Sequence, residues 1–210
     1  MRKDHHKPAK DKISTFKKIE QLHPHMLLTY LIILGVFLIF FFLTLSFLLT
    51  SDAKNPALTY QLPKAFILST IAIMVSSFTV YKCEQYYASE QTTKLRRSLE
   101  ITFVLGFIFC LLQLVGWSEL HDSEFFFSGK NKSSSFIYLI SGLHGLHLLG
   151  GMIFIIRVYL IAYRADNDPV HALVTSTSPY EKMRIKMLSI YWHFMDGLWL
   201  AIFLAFLWAY

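Results

Sequence analysis

Apolar residues fall along this chain in five long blocks, at 26–49, 62–81, 98–117, 136–162 and 187–210, separated by polar and mostly basic gaps. Each block is long enough to cross a bilayer as a helix, for which about 20 residues are needed. The apolar positions cluster instead of alternating, so a half-buried strand is a poor description of any block. The pattern predicts an all-α, polytopic membrane helix bundle with five transmembrane helices. It forms one domain over 26–210, preceded by a basic polar tail over 1–25. Pro63 sits where a helix start tolerates proline, and Asn55-Pro56 reads as a turn. The gap over 165–186, with Asp168-Pro169 and Ser178-Pro179, reads as a longer loop. Ile13 to Leu22 is weakly amphipathic and is expected on the membrane surface. The first apolar block is too long for the core of a cleavable signal.

Composition agrees: 54% of residues are hydrophobic, and 19 are phenylalanine. A net charge of +6 would suggest nucleic acid in a soluble protein. Here the basic residues lie almost wholly between the blocks, where topology explains them better and leaves nucleic acid without a role. With the N-terminus inside, sixteen Lys and Arg fall on the inner side and only Lys54, Lys64, Lys130 and Lys132 on the outer. That asymmetry predicts N-inside and C-outside. Cys83 and Cys110 have no spacing that suggests a metal site or a disulfide framework. His5-His6 reads as a solvated pair in a Lys-rich tail.

Candidate chemistry is confined to the last two blocks. Block four carries S-G-L-H-G-L-H-L-L-G-G, Ser141 to Gly151. On a helix His144 and His147 share a face. Gly142, Gly145 and Gly151 remove side-chain bulk, so a neighbouring helix can come close. Block five carries Y-W-H-F-M-D-G-L-W, Tyr191 to Trp199. Here His193 and Asp196 share a face, and Trp192, Asp196 and Trp199 form one stripe. A lone carboxylate at membrane depth is expensive, so Asp196 is expected to meet a histidine on its own helix or on block four. Three readings remain open. Two histidines could ligate a haem as in a membrane cytochrome b, although the glycines bring helices together where a haem needs them apart. His144, His147, His193 and Asp196 could hold a metal, although adjacent carboxylate ligands are missing. The third reading is a buried His–Asp–Trp network that fixes helix packing. A small transporter is the competing class for the whole chain.

The residues from Leu62 onward resemble subunit III of the haem-copper cytochrome oxidases. The resemblance rests on Ser134 to Gly151 and Tyr191 to Trp199. Leu105-Gly106 through Gln113 and Trp117 support it, as do Ser69-Thr70 and Ser76-Ser77. It implies a non-catalytic subunit, of the shorter five-helix type, in a respiratory complex of the bacterial cytoplasmic membrane. It further implies that no residue of this chain is catalytic or binds a cofactor or metal; haems and copper would reside in partner subunits I and II. This chain would pack on subunit I, support proton uptake there, contact membrane phospholipid and prolong the working life of the enzyme. A respiratory supercomplex is the widest setting the resemblance allows. On this reading His144, His147, Gly142, Gly145, Gly151, His193, Asp196, Trp192, Trp199 and Gln113 are structural motif residues. Two departures stand out. The membrane carboxylate that the family often carries near the start of the second block is absent, and Gly116 replaces the acid of its Gln-x-x-Glu pattern.

Overall fold

The computed structural model describes residues 24–50, 63–122 and 132–209. His5-His6, the 13–22 stretch and Asn55-Pro56 lie outside them. The described residues form six helices: α1 (Pro24–Thr50), α2 (Lys64–Ala88), α3 (Thr92–Asp122), α4 (Lys132–Asn167), α5 (Pro169–Thr177) and α6 (Pro179–Ala209). Five of them, all but α5, are long and apolar enough to cross a membrane.

The helices run further than the apolar blocks, because polar residues at their ends continue the backbone ladder into the headgroup zone. The basic gap between α2 and α3 shrinks to a tight turn. Ser89 and Gln91 donate their N–H groups back to the carbonyls of Gln85 and Tyr86, at 3.0 and 2.9 Å. Glu90 takes a φ of 56° to reverse the chain. The expected loop over 165–186 is corrected more strongly, since most of it is helical. Asp168-Pro169 and Ser178-Pro179 look like turn signals, but each is a helix start. Asp168 accepts the Val170 N–H at 2.9 Å with Pro169 at the first helical position, and Ser178 Oγ accepts from Glu181 N at 3.4 Å. An acceptor side chain followed by proline is a strong N-terminal signature, for proline lacks a donor that the first turn does not need.

The last helix, α6, stands at the centre and packs on α1, α2 and α4, while α2, α3 and α4 pack in sequence. The first helix runs parallel to it: the Thr29 hydroxyl lies 3.4 Å from Met187 Sδ near one end, and the rings of Phe47 and Phe206 meet at 5.2 Å near the other. On α1 only Val36, Phe40 and Phe47 are buried. Leu43 and Leu48 are part-buried against the core, and much of the remaining helix surface is exposed and apolar, as a membrane span allows.

Small residues decide where helices touch. A Cβ on Gly151 would lie 3.1 Å from Tyr191 and 3.2 Å from Trp192, and one on Gly106 would lie 3.3 Å from Trp192. The large indole of α6 thus sits between glycines of α3 and α4. Gly116, where the resemblance expects an acid, has the Phe66 ring 3.2 Å from the position of an added Cβ. Gly142 faces Trp117 at 3.5 Å, an ordinary contact. The expectation for Gly145 is corrected: among the described residues an added Cβ there meets nothing within 4 Å, because this position points away from the other helices although His144 beside it is buried against them.

The basic end of the bundle is tied across α3 and α4. Arg96 lies 3.3 Å from Asp166 and 3.8 Å from Glu100. Thr93 donates to Asp166 and Tyr159 donates to Glu100, at 2.5 and 3.1 Å. Part-exposed pairs of this kind stabilise modestly as single contacts, and more as a network.

Candidate functional site

The polar side chains inside the bundle line one seam, where α2 meets α3 and α6. Serine and threonine on a helix satisfy their own O–H by donating to the carbonyl three or four residues earlier. Ser69 and Thr70 both donate to the Phe66 carbonyl, at 2.9 and 2.7 Å, and Ser76 donates to Ile73 at 2.7 Å. Each hydroxyl oxygen is left with lone pairs pointing at the next helix. Gln113 of α3 donates to Ser69 at 2.9 Å, and Trp199 and Trp192 of α6 donate to Thr70 and Ser76, each at 3.0 Å. An indole N–H buried in hydrocarbon needs such an acceptor. Three large donors on two helices are thereby matched to three small acceptors on α2, which fixes the helices in depth and rotation together. Trp117 repeats the pattern between α3 and α4, donating to Ser141 at 2.9 Å.

The histidines take three different places. His144 is fully buried, with its ring 5.0 Å from Trp199, 5.6 Å from Phe109 and 6.2 Å from Phe40. Neither ring nitrogen meets a hydrogen-bond partner among the described residues. His147, one turn away, has Nδ1 2.8 Å from the carbonyl of Leu143 in its own helix and packs on the same Phe40 ring at 5.6 Å. The two histidines do share a face, directed at α1. His193 is on α6, with Nδ1 2.7 Å from the Ser77 hydroxyl of α2.

Asp196 is buried, at 2% exposure, on the expected stripe with Trp192 and Trp199. The expected histidine partner is corrected. Ser77 is the polar side chain beside Asp196, but it stops short of a full hydrogen bond, and neither carboxylate oxygen has a partner. His193 is already engaged with Ser77, and His144 is enclosed by aromatic rings. Asp196→Leu should therefore cost less than 1 kcal/mol or add stability, since an unsatisfied polar group is exchanged for an apolar one of similar size. Resistance of the assembled protein to thermal unfolding in detergent measures this; a loss of several kcal/mol would show a partner that Asp196 needs.

The two ligand readings fare poorly on geometry. Phe40, Phe109 and Trp199 occupy the space around His144 that a flat macrocycle would need. His193 faces α2 instead of the His144 cluster. Among the described residues no three His, Cys, Asp or Glu side chains are placed to hold a metal ion. The sequence reading named the large partners of this seam but passed over the small acceptors Ser69, Thr70, Ser76 and Ser77 as functional positions. Their signal was available: four hydroxyl residues inside one apolar block, on one or two neighbouring stripes of the same helix.

This arrangement can now be set beside known proteins. The family model for cytochrome c oxidase subunit III matches residues 22–210. A probable cytochrome c oxidase subunit 3 of Rickettsia prowazekii is 29% identical over 136 residues, 65% of this chain and 45% of that protein. A probable quinol oxidase subunit 3 of Staphylococcus saprophyticus is 28% identical over 151 residues, 70% of this chain and 67% of that protein. A probable cytochrome c oxidase subunit 3 of Mycobacterium bovis is 32% identical over 137 residues, 64% of this chain and 61% of that protein. The matched region spans about half to two thirds of these relatives' own lengths. Because the family model takes in nearly all of the chain, including both histidine-bearing spans and the hydroxyl-lined α2, this integral membrane protein belongs to the cytochrome c oxidase subunit III family.

Proposed function

We infer that this chain is the non-catalytic subunit III of a respiratory haem-copper terminal oxidase. It packs on subunit I, stabilises that subunit and supports proton uptake during oxygen reduction, while haem and copper stay in subunits I and II. The observation that carries this reading is the family match over residues 22–210. The polar seam supports it, because its tryptophans, glutamine and hydroxyls satisfy one another across helices and so serve a fixed scaffold. The charge asymmetry between the gaps favours an orientation with the N-terminus and the basic end of the bundle inside, and the membrane of this reading is the bacterial cytoplasmic one.

Membrane phospholipid completes the reading. A cleft of about 440 Å³ between α1, α4 and α6 is lined by Arg157, Arg164 and Arg184 above an apolar wall that includes Phe154 and Met187. Arg157 lies within a membrane span and has no carboxylate partner among the described residues, a costly state unless an anion or water reaches it. A lipid phosphate supplies that anion while its acyl chains cover the wall. Arg157→Gln should lower the amount of anionic lipid retained per complex, measured by lipid analysis of the purified protein.

The functional reading is tested by affinity purification through this chain from its native membrane. Subunits I and II should co-purify, carrying oxidase activity and the haem absorption. Recovery of the chain alone, or a Soret band that follows it after separation from the larger subunits, would overturn the reading.

A further inference from the structure

The buried carboxyl of Asp196 is used by no part of the packing scheme, and its surroundings are unusual. α1, α2 and α4 pack on α6, and α3 reaches it through Gly106 and Phe109, neither of them ionisable. From α2, Ser77 is the polar group beside it. From α4, His144 is held among aromatic rings one turn away, against Trp199, and His147 lies against its own backbone. The ionisable residues of α1, His25 and Tyr30, both stand near that helix's start, away from this level. Among the described residues no cation stands opposite Asp196 to hold it as an anion. An isolated carboxylate in a medium of low polarity costs far more than the neutral acid, which is the form such a site selects.

A short polar line leads away from it. Ser77 Oγ lies 2.7 Å from His193 Nδ1 and is the hydroxyl beside the Asp196 carboxyl, short of a full hydrogen bond to it. His193 is only half-buried, and Glu84 is exposed near the basic end of the same α2 that carries Ser77. We propose that Asp196 is held as a carboxylic acid whose proton exchanges with water at the basic end of the bundle through Ser77 and His193. The line is directional. The acid O–H donates toward Ser77 Oγ, Ser77 donates to Nδ1 of a neutral His193, and the other ring nitrogen carries the proton of that imidazole. In exchange, the Asp196 O–H breaks as Ser77 takes that proton and passes its own to Nδ1. This leaves a transient Asp196 anion and His193 cation. His193 then releases a proton from its other nitrogen toward water beside Glu84, and a proton returning along the same line restores the acid. No net charge is created and no other reactant is needed. The inference does not depend on the functional reading above, since it concerns a side chain and its two neighbours.

Infrared spectra of the intact complex in membranes test it during transfer from ordinary to heavy water. A carboxylic C=O band that shifts on exchange should be present in the wild type and missing in Asp196→Asn. Asp196→Glu keeps the acid and moves the band, which supplies the assignment if the asparagine variant does not assemble. Ser77→Ala and His193→Phe should retain the band but slow its exchange, on the order of a hundredfold, as removal of a positioned proton-transfer group does. Absence of any band assigned to residue 196 would mean an ionised carboxylate and overturn the proposal. A band that exchanges at the wild-type rate in both relay variants would overturn the route.

Discussion

Gly151→Leu should strip this subunit from its complex, while Gly145→Leu should leave the complex intact. The two glycines lie in the same motif and carry the same sequence signal, but they differ in what stands before them. At Gly151 an added Cβ already meets Tyr191 and Trp192 at 3.1–3.2 Å, and both belong to α6. Neither ring can withdraw cheaply. The Tyr191 hydroxyl donates to the His147 carbonyl at 3.0 Å, and Trp192 is pinned through its indole N–H to Ser76. Leucine must therefore push α4 from α6, at a cost of about 1–3 kcal/mol for overpacking. Loss of the indole–serine bond would add about 1 kcal/mol. Because α6 is the hub against which α1, α2 and α4 pack, a shift there disturbs three interfaces together. At Gly145 nothing lies within 4 Å, so a leucine extends into open space on the α4 surface. On the proposed function, the measurement is the ratio of this chain to the haem-bearing subunits I and II after purification. Equal retention of the two variants would mean that the Gly151 contact yields. Loss with Gly145→Leu would instead place a partner subunit on that turn.

Much of this was legible in the sequence, and the rest was not for identifiable reasons. Five spans followed from block length alone, since a bilayer sets the number of apolar residues a helix needs. The shared face of His144 and His147 and the stripe of Trp192, Asp196 and Trp199 followed from helical periodicity. Which neighbour each face meets did not, because that depends on the order of helices in space. Asp196 was expected to find a histidine on grounds of cost, yet His193 points to Ser77 and His144 into a cage of rings. Gly106 and Gly116 entered only through the resemblance, as a motif glycine and as the replacement of an acid. They prove to be the slots for Trp192 and Phe66, large rings from other helices whose approach no local pattern announces. The helix over 169–177 was hidden by its own caps, since Asp-Pro and Ser-Pro announce a turn and a helix start alike.

Trp199→Ala should be the most damaging single substitution in the chain. The side chain is fully buried and stands where three clusters join. Its ring lies 5.0 Å from His144 on α4, 5.1 Å from Phe109 on α3 and 6.3 Å from Phe66 on α2, and its N–H is bonded to Thr70 at 3.0 Å. Truncation to alanine removes the body that spaces these helices, and close-packed surroundings collapse only partly, so about 3–5 kcal/mol is expected. Thr70 tolerates the loss, since its own hydroxyl donates to Phe66 O and keeps one bond. Trp199→Phe retains most of the ring and forfeits the indole bond and some volume, at about 1–2 kcal/mol. His144 offers an internal control. Both its nitrogens are unpartnered among aromatic rings, so His144→Phe keeps the cage filled and removes only unsatisfied polar atoms. That variant should match or exceed the wild type in stability. Thermal unfolding of the detergent-solubilised complex, followed by release of this subunit, ranks the three. If His144→Phe proved as damaging as Trp199→Ala, the imidazole would have a polar partner outside this chain, and the cage would be part of an interface.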